Sequence, residues 1–292
     1  MGPSRVTRLL PRLAAALAER RTRVESILAR NESLSSPAVL HDLRVALRRT
    51  AALARLTRDF PAEGDGEALR LAARDLRRAL TGSRTLEVCR HRLVNRFRRD
   101  PSRRKTALAR AARLPVGGEA VGGKAADARL AALRRAFGGR DADLARLNPS
   151  LSGLLDSRAE KTLRRLVQRR LRKKRRSLVD AGVPTAETLH RLRILAKDLR
   201  YSLEFVSEVV PGGSGLLARL REFQDTAGDA HDRAELIAEV RRLAGESPAP
   251  LRREALRLLP VLMRDAERAL GRAQASSRRL LSVLGKNRLE IA

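Results

Sequence analysis

Leu40-His41-Asp42-Leu43-Arg44-Val45-Ala46-Leu47-Arg48 returns later in the chain as Leu189-His190-Arg191-Leu192-Arg193-Ile194-Leu195-Ala196-Lys197, with His190 standing 149 residues after His41. A helical rotation of about 100° per residue sorts each copy into two faces. In the first copy His41, Arg44, Arg48 and Arg55 share one narrow stripe, and Leu43, Leu47, Thr50 and Ala54 lie on the other side. In the second, His190, Arg193, Lys197 and Arg200 form the stripe, opposite Leu192, Leu195, Leu199, Leu203 and Val206. One histidine and several cations on the same helical face, twice over, point to a duplicated site for an anion.

The repeat extends upstream without a gap. Arg20-Arg21-Thr22-Arg23 and Arg169-Arg170-Leu171-Arg172 end at the same distance, 18 residues, before their histidines. The unit is therefore a helix, a short link, a histidine-bearing helix and further helices. Its period is too long for a solenoid repeat. It fits two fused copies of one bundle, related by approximate two-fold symmetry. On this reading residues 1–292 form a single domain made of an N-terminal half, 1–145, and a C-terminal half, 146–292.

Composition fixes the class. The 292 residues are 43% hydrophobic, with 2% aromatics and no Trp, so any core is built from Leu, Ala and Val. No segment alternates β-branched and polar residues, while Leu, Ala, Arg and Glu dominate and favour helix. The fold class is all-α. The formal charge of +30 and a pI near 11.7 make a polyanion the expected partner. Only seven of the 63 basic residues are Lys, and Arg carries the planar donor fork that grips phosphate bidentately. The single Cys89 excludes an intramolecular disulfide and fits a reducing compartment. Apolar runs are too short and too often broken by Arg to span a bilayer. Pro11 and Arg12 interrupt any signal-like core after Leu9-Leu10, so a cytoplasmic protein is expected.

Punctuation places the elements. A first helix is expected over about residues 4–30, and Ser36-Pro37 opens a second that runs to about Arg58. After the turn at Pro61–Gly66 a helix covers about 67–80, breaks near Gly82 and resumes to about Arg99. Leu114 to Lys124, with four glycines, is the least regular stretch, and a helix over about 126–137 closes the first half. The second half opens with a basic helix over about 150–181, ended by Gly182. Pro184-Thr185 starts the second histidine helix, which stops before Pro211. Two more helices follow, over about 214–244 with a bend expected at Gly228, and about 251–284 with a kink at Pro260.

These residues resemble the CHAD family, the conserved-histidine α-helical domain. His41-x-x-Arg44-Val45-x-x-Arg48-Arg49 is similar to its first motif, and His190-x-x-Arg193-Ile194-x-x-Lys197-x-x-Arg200-Tyr201-x-x-Glu204 to its second. Downstream, Phe223-Gln224-Asp225-x-x-Gly228-x-x-x-Asp232 resembles the short motif that follows the second histidine helix. The order and spacing agree over roughly residues 5–285. Two departures lie in the first half. Thr85 stands where the family usually carries an acid, and Ala51 stands where the second half has Arg200. The resemblance implies two similar helical bundles whose basic helices line a shared central channel. It also implies binding of inorganic polyphosphate and association with polyphosphate granules. The residues agree: a linear polyphosphate carries about one charge per unit and no bases, so a row of cations without aromatic platforms suits it.

His41, Arg44, Arg48, Arg49, His190, Arg193, Lys197 and Arg200 are the candidate polyphosphate-binding residues. A solvated charged face is the plainer alternative. The histidines either donate to phosphate or make a structural hydrogen bond between bundles. Tyr201 packs between bundles or offers its hydroxyl, and Glu204, one turn after Arg200, holds that arginine in place. Gln224, Asp225 and Asp232 orient basic side chains or cap the bend. Arg20, Arg23, Arg169 and Arg172, with neighbouring Arg21 and Arg170, form a possible outer basic ring, with ordinary surface placement as the alternative.

No catalytic residue, metal site or cofactor is expected. Gly118-x-x-x-x-Gly123-Lys124-Ala125 nearly spells a phosphate-binding loop but has Ala125 at the magnesium-binding position and no strand before it. His231-Asp232 matches the dyad of metal-dependent phosphohydrolases without the other ligands that chemistry needs. Cys89-x-His91 is too small for a zinc site. The protein is thus expected to bind polyphosphate without acting on it. The alternative that net charge supports equally is a basic helical nucleic-acid-binding protein, which the scarcity of stacking aromatics disfavours.

Overall fold

The computed structural model describes residues 9–29, 37–60, 66–80, 124–147, 157–246, 248–287 and 289–291, and among these it contains eight α-helices and no strand. They are α1 (Leu9–Ala29), α2 (Pro37–Leu56), α3 (Gly66–Ala79), α4 (Lys124–Leu147), α5 (Ser157–Asp180), α6 (Leu189–Val206), α7 (Gly213–Glu246) and α8 (Ala249–Lys286). The sequence expectations for 82–99, for the basic segment after Pro101 and for the glycines of 114–123, together with Thr85, Cys89 and His91, lie outside the described residues.

The apolar periodicity of each helix becomes its buried face. α1 buries Leu9, Leu10, Leu13, Leu17, Val24 and Ile27, and α6 buries Leu192, Leu199, Leu203 and Val206. One continuous core runs from Leu9 to Leu289 through α1, α2, α3, α5 and α6 and the inner parts of α4, α7 and α8. A smaller cluster, with Leu236, Val240, Ala255 and Leu258, closes the far end of the α7–α8 hairpin. Glu160 in the first turn of α5 accepts from the free N–H groups at the start of α1, Leu9 at 2.8 Å and Leu10 at 3.0 Å, so one carboxylate satisfies two of the donors that α1 leaves open.

The histidine helices begin and end by local chemistry. Before α6, Thr185 N–H donates to Thr188 Oγ1 (2.9 Å) and Thr188 N–H to Thr185 Oγ1 (3.2 Å), a reciprocal pair that delays the helix to Leu189. Gly66, at the start of α3, leaves room for the backbone of Arg58, which a Cβ would meet at 2.8 Å. Gly213, at the start of α7, does the same for Ser207, whose carbonyl oxygen a Cβ would overlap. Arg58 and Ser207 are equivalent positions under the 149-residue offset, so both halves turn sharply after their histidine helix by the same device.

One element runs past its sequence expectation. α4 continues through Gly138-Gly139 to Leu147 instead of stopping near 137. The glycine pair is overridden by tertiary contacts, since the helix packs along α3 with Phe137 and Leu144 buried, and fully buried Arg140 donates to the carbonyl of Thr57, just past the end of α2, at 2.9 Å. α7 runs through Gly228 as one helix, and the glycine leaves room there for the Arg193 guanidinium. α8 likewise passes through Pro260 as one helix, with the proline on an exposed face.

Candidate functional site

α2 and α6 pack directly on one another, and cations from both motifs meet where they do. Glu204 lies 3.2 Å from Arg49 of α2 and 3.7 Å from Arg200 of its own helix. The ring of buried Tyr201 sits beneath both guanidiniums, 4.7 Å from Arg200 and 5.9 Å from Arg49. On the other flank Asp198 pairs with Arg55 at 2.6 Å. The 149-residue offset maps Arg49 onto Asp198 and Arg55 onto Glu204. The two ion pairs are therefore one contact made twice with the charges exchanged.

Arg193 points from α6 toward α7, where Gly228 leaves space for it. A Cβ there would lie 3.6 Å from the guanidinium, ordinary contact that a larger side chain would exceed. Beside it His190 and His231 stand with ring centroids 4.7 Å apart. Burial holds the His231 pKa below the ordinary imidazole value, and the nearby Arg193 and His190 add to that effect against the pull of Glu235 and Asp232. His231 is thus neutral at neutral pH, poised to take a proton when negative charge arrives nearby.

In the first half, Arg44 is buried at 6% exposure, whereas His41, Arg48 and Arg49 are half-buried. Arg77 of α3 lies in the positive field of Arg48, Arg78 and Arg55, and burial first, then those charges, lowers its pKa. Like charges gathered around a guanidinium favour the approach of an oxyanion.

Beyond Asp198 the α2–α6 contact opens into a basic pocket of about 280 Å³ against α5. Lys174 reaches Asp198 at 2.5 Å, and Arg170 pairs with Asp59 and donates to the Arg55 carbonyl. Burial lowers the Lys174 pKa despite the Asp198 carboxylate, helped by Arg55 and Arg170. Asp59 is lowered because Arg170 and Arg58 outweigh the effect of its own burial. Taken together, the arrangement offers converging guanidinium forks and ammonium groups, suited to holding oxyanions. No group of His, Cys, Asp and Glu placed to hold a metal ion occurs among the described residues. No described helix is long and apolar enough to cross a membrane.

The profile of the CHAD domain matches residues 11–241, most of the chain. The chain belongs to the CHAD domain family. Its fold is similar to the crystal structure of the CHAD domain from the plant Ricinus communis, with 19% identity, a TM-score of 0.59 and coverage of 95% of this chain and 94% of that one. It is also similar to PptA from Streptomyces chartreusis, with 19% identity, a TM-score of 0.52 and coverage of 94% and 100%. At that identity the likeness establishes the shared fold alone. No curated protein sequence gives a significant match.

In this CHAD domain the motif residues are not all gathered at one point. Arg49 and Arg200 converge; Arg193 and His190 face α7; Arg48 faces α3; Lys197 is half-buried on α6. Three members of the candidate outer ring have ion-pair partners of their own. Arg20 pairs with Glu19 at 3.3 Å, Arg23 with Asp42 at 3.6 Å and Arg172 with Glu290 at 3.3 Å, while Arg169 is exposed. Arg170 lines the pocket between the histidine helices, with Lys173 and Lys174. Lys173, Lys174, Arg58, Arg77 and the contact of His231 with His190 do not stand out in the sequence. For Lys174 a signal existed: Arg170, Lys174 and Ser177 lie one helical turn apart, on a face about a quarter turn from buried Leu171 and Leu178. The surrounding run Arg172–Arg176 hid it by supplying a cation on every face.

Proposed function

We propose that this protein binds inorganic polyphosphate along its two histidine helices without altering it chemically, and that this binding localises it to polyphosphate granules in the cytoplasm. The observation that carries the reading is the junction of α2 with α6, where Arg49 and Arg200, one from each motif, converge on the same carboxylate and the same ring. His41, Arg44, Arg48 and Arg49 from α2, with His190, Arg193, Lys197 and Arg200 from α6, are the residues assigned to the ligand. Family membership and the formal charge of +30 support a polyanionic ligand. Arginine forks suit phosphate oxygens, and with aromatics at 2% a base-free chain is favoured over single-stranded nucleic acid.

The test is competition at matched ionic strength. Long-chain polyphosphate displaces a labelled oligonucleotide efficiently, and the oligonucleotide displaces polyphosphate poorly. The reverse order would make the protein a nucleic-acid binder. Reversing Arg193 and Lys197 together to Glu abolishes polyphosphate binding with helicity intact by circular dichroism, and retained affinity would refute the assignment. Incubation with polyphosphate and a divalent metal releases no phosphate, and release would make the protein a phosphohydrolase.

A further inference from the structure

The pocket between α2, α5 and α6 has a charge pattern of its own. Five cations line it: Arg55, Arg58, Arg170, Lys173 and Lys174. Two acids answer them. Asp198 is shared by Arg55 and Lys174, and Asp59 by Arg58 and Arg170. No acid among the described residues lies within ion-pair distance of Lys173, so the pocket carries an excess of positive charge. The Lys174 side chain is only 13% exposed, so its ammonium is largely removed from bulk water. A buried cation that shares its one carboxylate with a guanidinium favours an incoming anion.

Size and asymmetry say what kind of anion. A volume near 280 Å³ is at the small end for ligand pockets, enough for a short group and not for a long chain. The site also occurs once. The 149-residue offset maps Arg55, Arg58, Arg170, Lys173 and Lys174 onto Glu204, Ser207, Arg21, Val24 and Glu25, which leaves one cation against two acids. A ligand running along both histidine helices meets similar motifs in each half, but the cation set of this pocket belongs to one flank. Along a phosphate chain the unit that differs from the rest is the terminal one, which carries an extra oxyanion and more charge.

We propose that the α2–α5–α6 pocket is a subsite for a terminal phosphoryl group, supplied either by the end of a polyphosphate chain or by a free short oligophosphate. Its oxygens take the place of the Asp198 carboxylate on Lys174 and Arg55, while Arg170, held by Asp59, and Lys173 complete the cradle. The first source rests on the polyphosphate reading above, and the second stands without it.

Calorimetry with tripolyphosphate, which has ends, and cyclic trimetaphosphate, which has none, tests the proposal on the whole chain. Lys174→Met weakens tripolyphosphate binding by about tenfold or more and leaves trimetaphosphate unchanged, while Asp198→Asn tightens tripolyphosphate by several-fold. Should Lys174→Met fold poorly, Lys173→Ala combined with Arg58→Ala, both at exposed positions, gives the same discrimination. Long-chain polyphosphate with free or chemically blocked termini separates the sources. A preference for free ends that Lys174→Met removes identifies the chain end, and tripolyphosphate binding without such a preference identifies the free oligophosphate. The proposal is overturned if folded Lys174→Met binds tripolyphosphate as the wild type does, or loses both short ligands equally. The polyphosphate reading fails separately, if long chains do not bind at all.

Discussion

Single side chains in this molecule carry two duties, and Glu204 is the clearest case. It holds α2 to α6 by accepting Arg49 and Arg200, and it also cancels charge that a phosphate chain would otherwise use. Glu204→Gln therefore has opposite effects on stability and binding. We expect a stability loss of about 1–2 kcal/mol in chemical denaturation. Polyphosphate affinity rises at the same time, and a fall in both quantities would show that Glu204 only braces the helices. His231 gives a pH signature. Its folded pKa lies below the unfolded value near 6.5, so the unfolded chain binds the proton more readily. This contribution to stability is complete above about pH 6.5 and is lost as pH falls from there through the folded pKa. Bound phosphate reverses the preference by favouring the imidazolium, so polyphosphate affinity increases across the same window. His231→Gln flattens both profiles, and titrations at several pH values check it. The motif cations were legible in the sequence because they repeat. His231 was visible only as half of a dyad, because its proximity to His190 depends on how α7 packs on α6.

At the scale of elements, the helices were legible where apolar periodicity and capping agreed, as in α2 and in the buried row of α6. They were misread where packing overrode propensity. Gly138-Gly139 is a weak helical pair by itself, and it stays helical because Arg140, beyond it, is locked onto the end of α2 through the Thr57 carbonyl (2.9 Å) and Oγ1 (3.3 Å). Removing that guanidinium leaves buried acceptors without their donor and an unfilled space. Arg140→Met is expected to cost about 3 kcal/mol of unfolding free energy, measured by urea titration. A loss below about 1 kcal/mol would mean that α4 is held by its apolar residues alone. Gly213→Ala tests the tight turn after α6. Its Cβ would press on the Ser207 backbone, which cannot rotate away, so a loss of about 2 kcal/mol or more is expected in the same assay. The glycine was visible in the sequence as punctuation, but its role in holding two helices close was not, because that depends on backbone separation.

For the molecule as a whole, the repeat and the charge told most of the story early. A duplicated cation stripe on amphipathic helices implied both the all-helical fold and the class of partner. The sequence could not tell how the two stripes would meet. They join at one crossing, where charge-exchanged pairs, Arg49 with Glu204 and Arg55 with Asp198, fasten α2 to α6. Several cations on one face thus spend part of their charge inside the protein, and only the remainder is open to a ligand. The salt dependence of binding counts that remainder. Each phosphate neutralised on a flexible single-stranded polyanion contributes a slope of about −0.7 to log affinity against log salt. If four or five cations contact the chain, the slope is about −3. Arg193→Glu removes one contact and adds a repulsion while leaving the α2–α6 pairs in place. The slope should become shallower by at least about 0.7, and affinity at moderate salt should fall by tenfold or more, roughly. Fluorescence titrations at four salt concentrations measure both quantities. A slope near zero in the wild type would mean that the positive charge is consumed within the fold, and the helices would then have to recognise their ligand by something other than its phosphates.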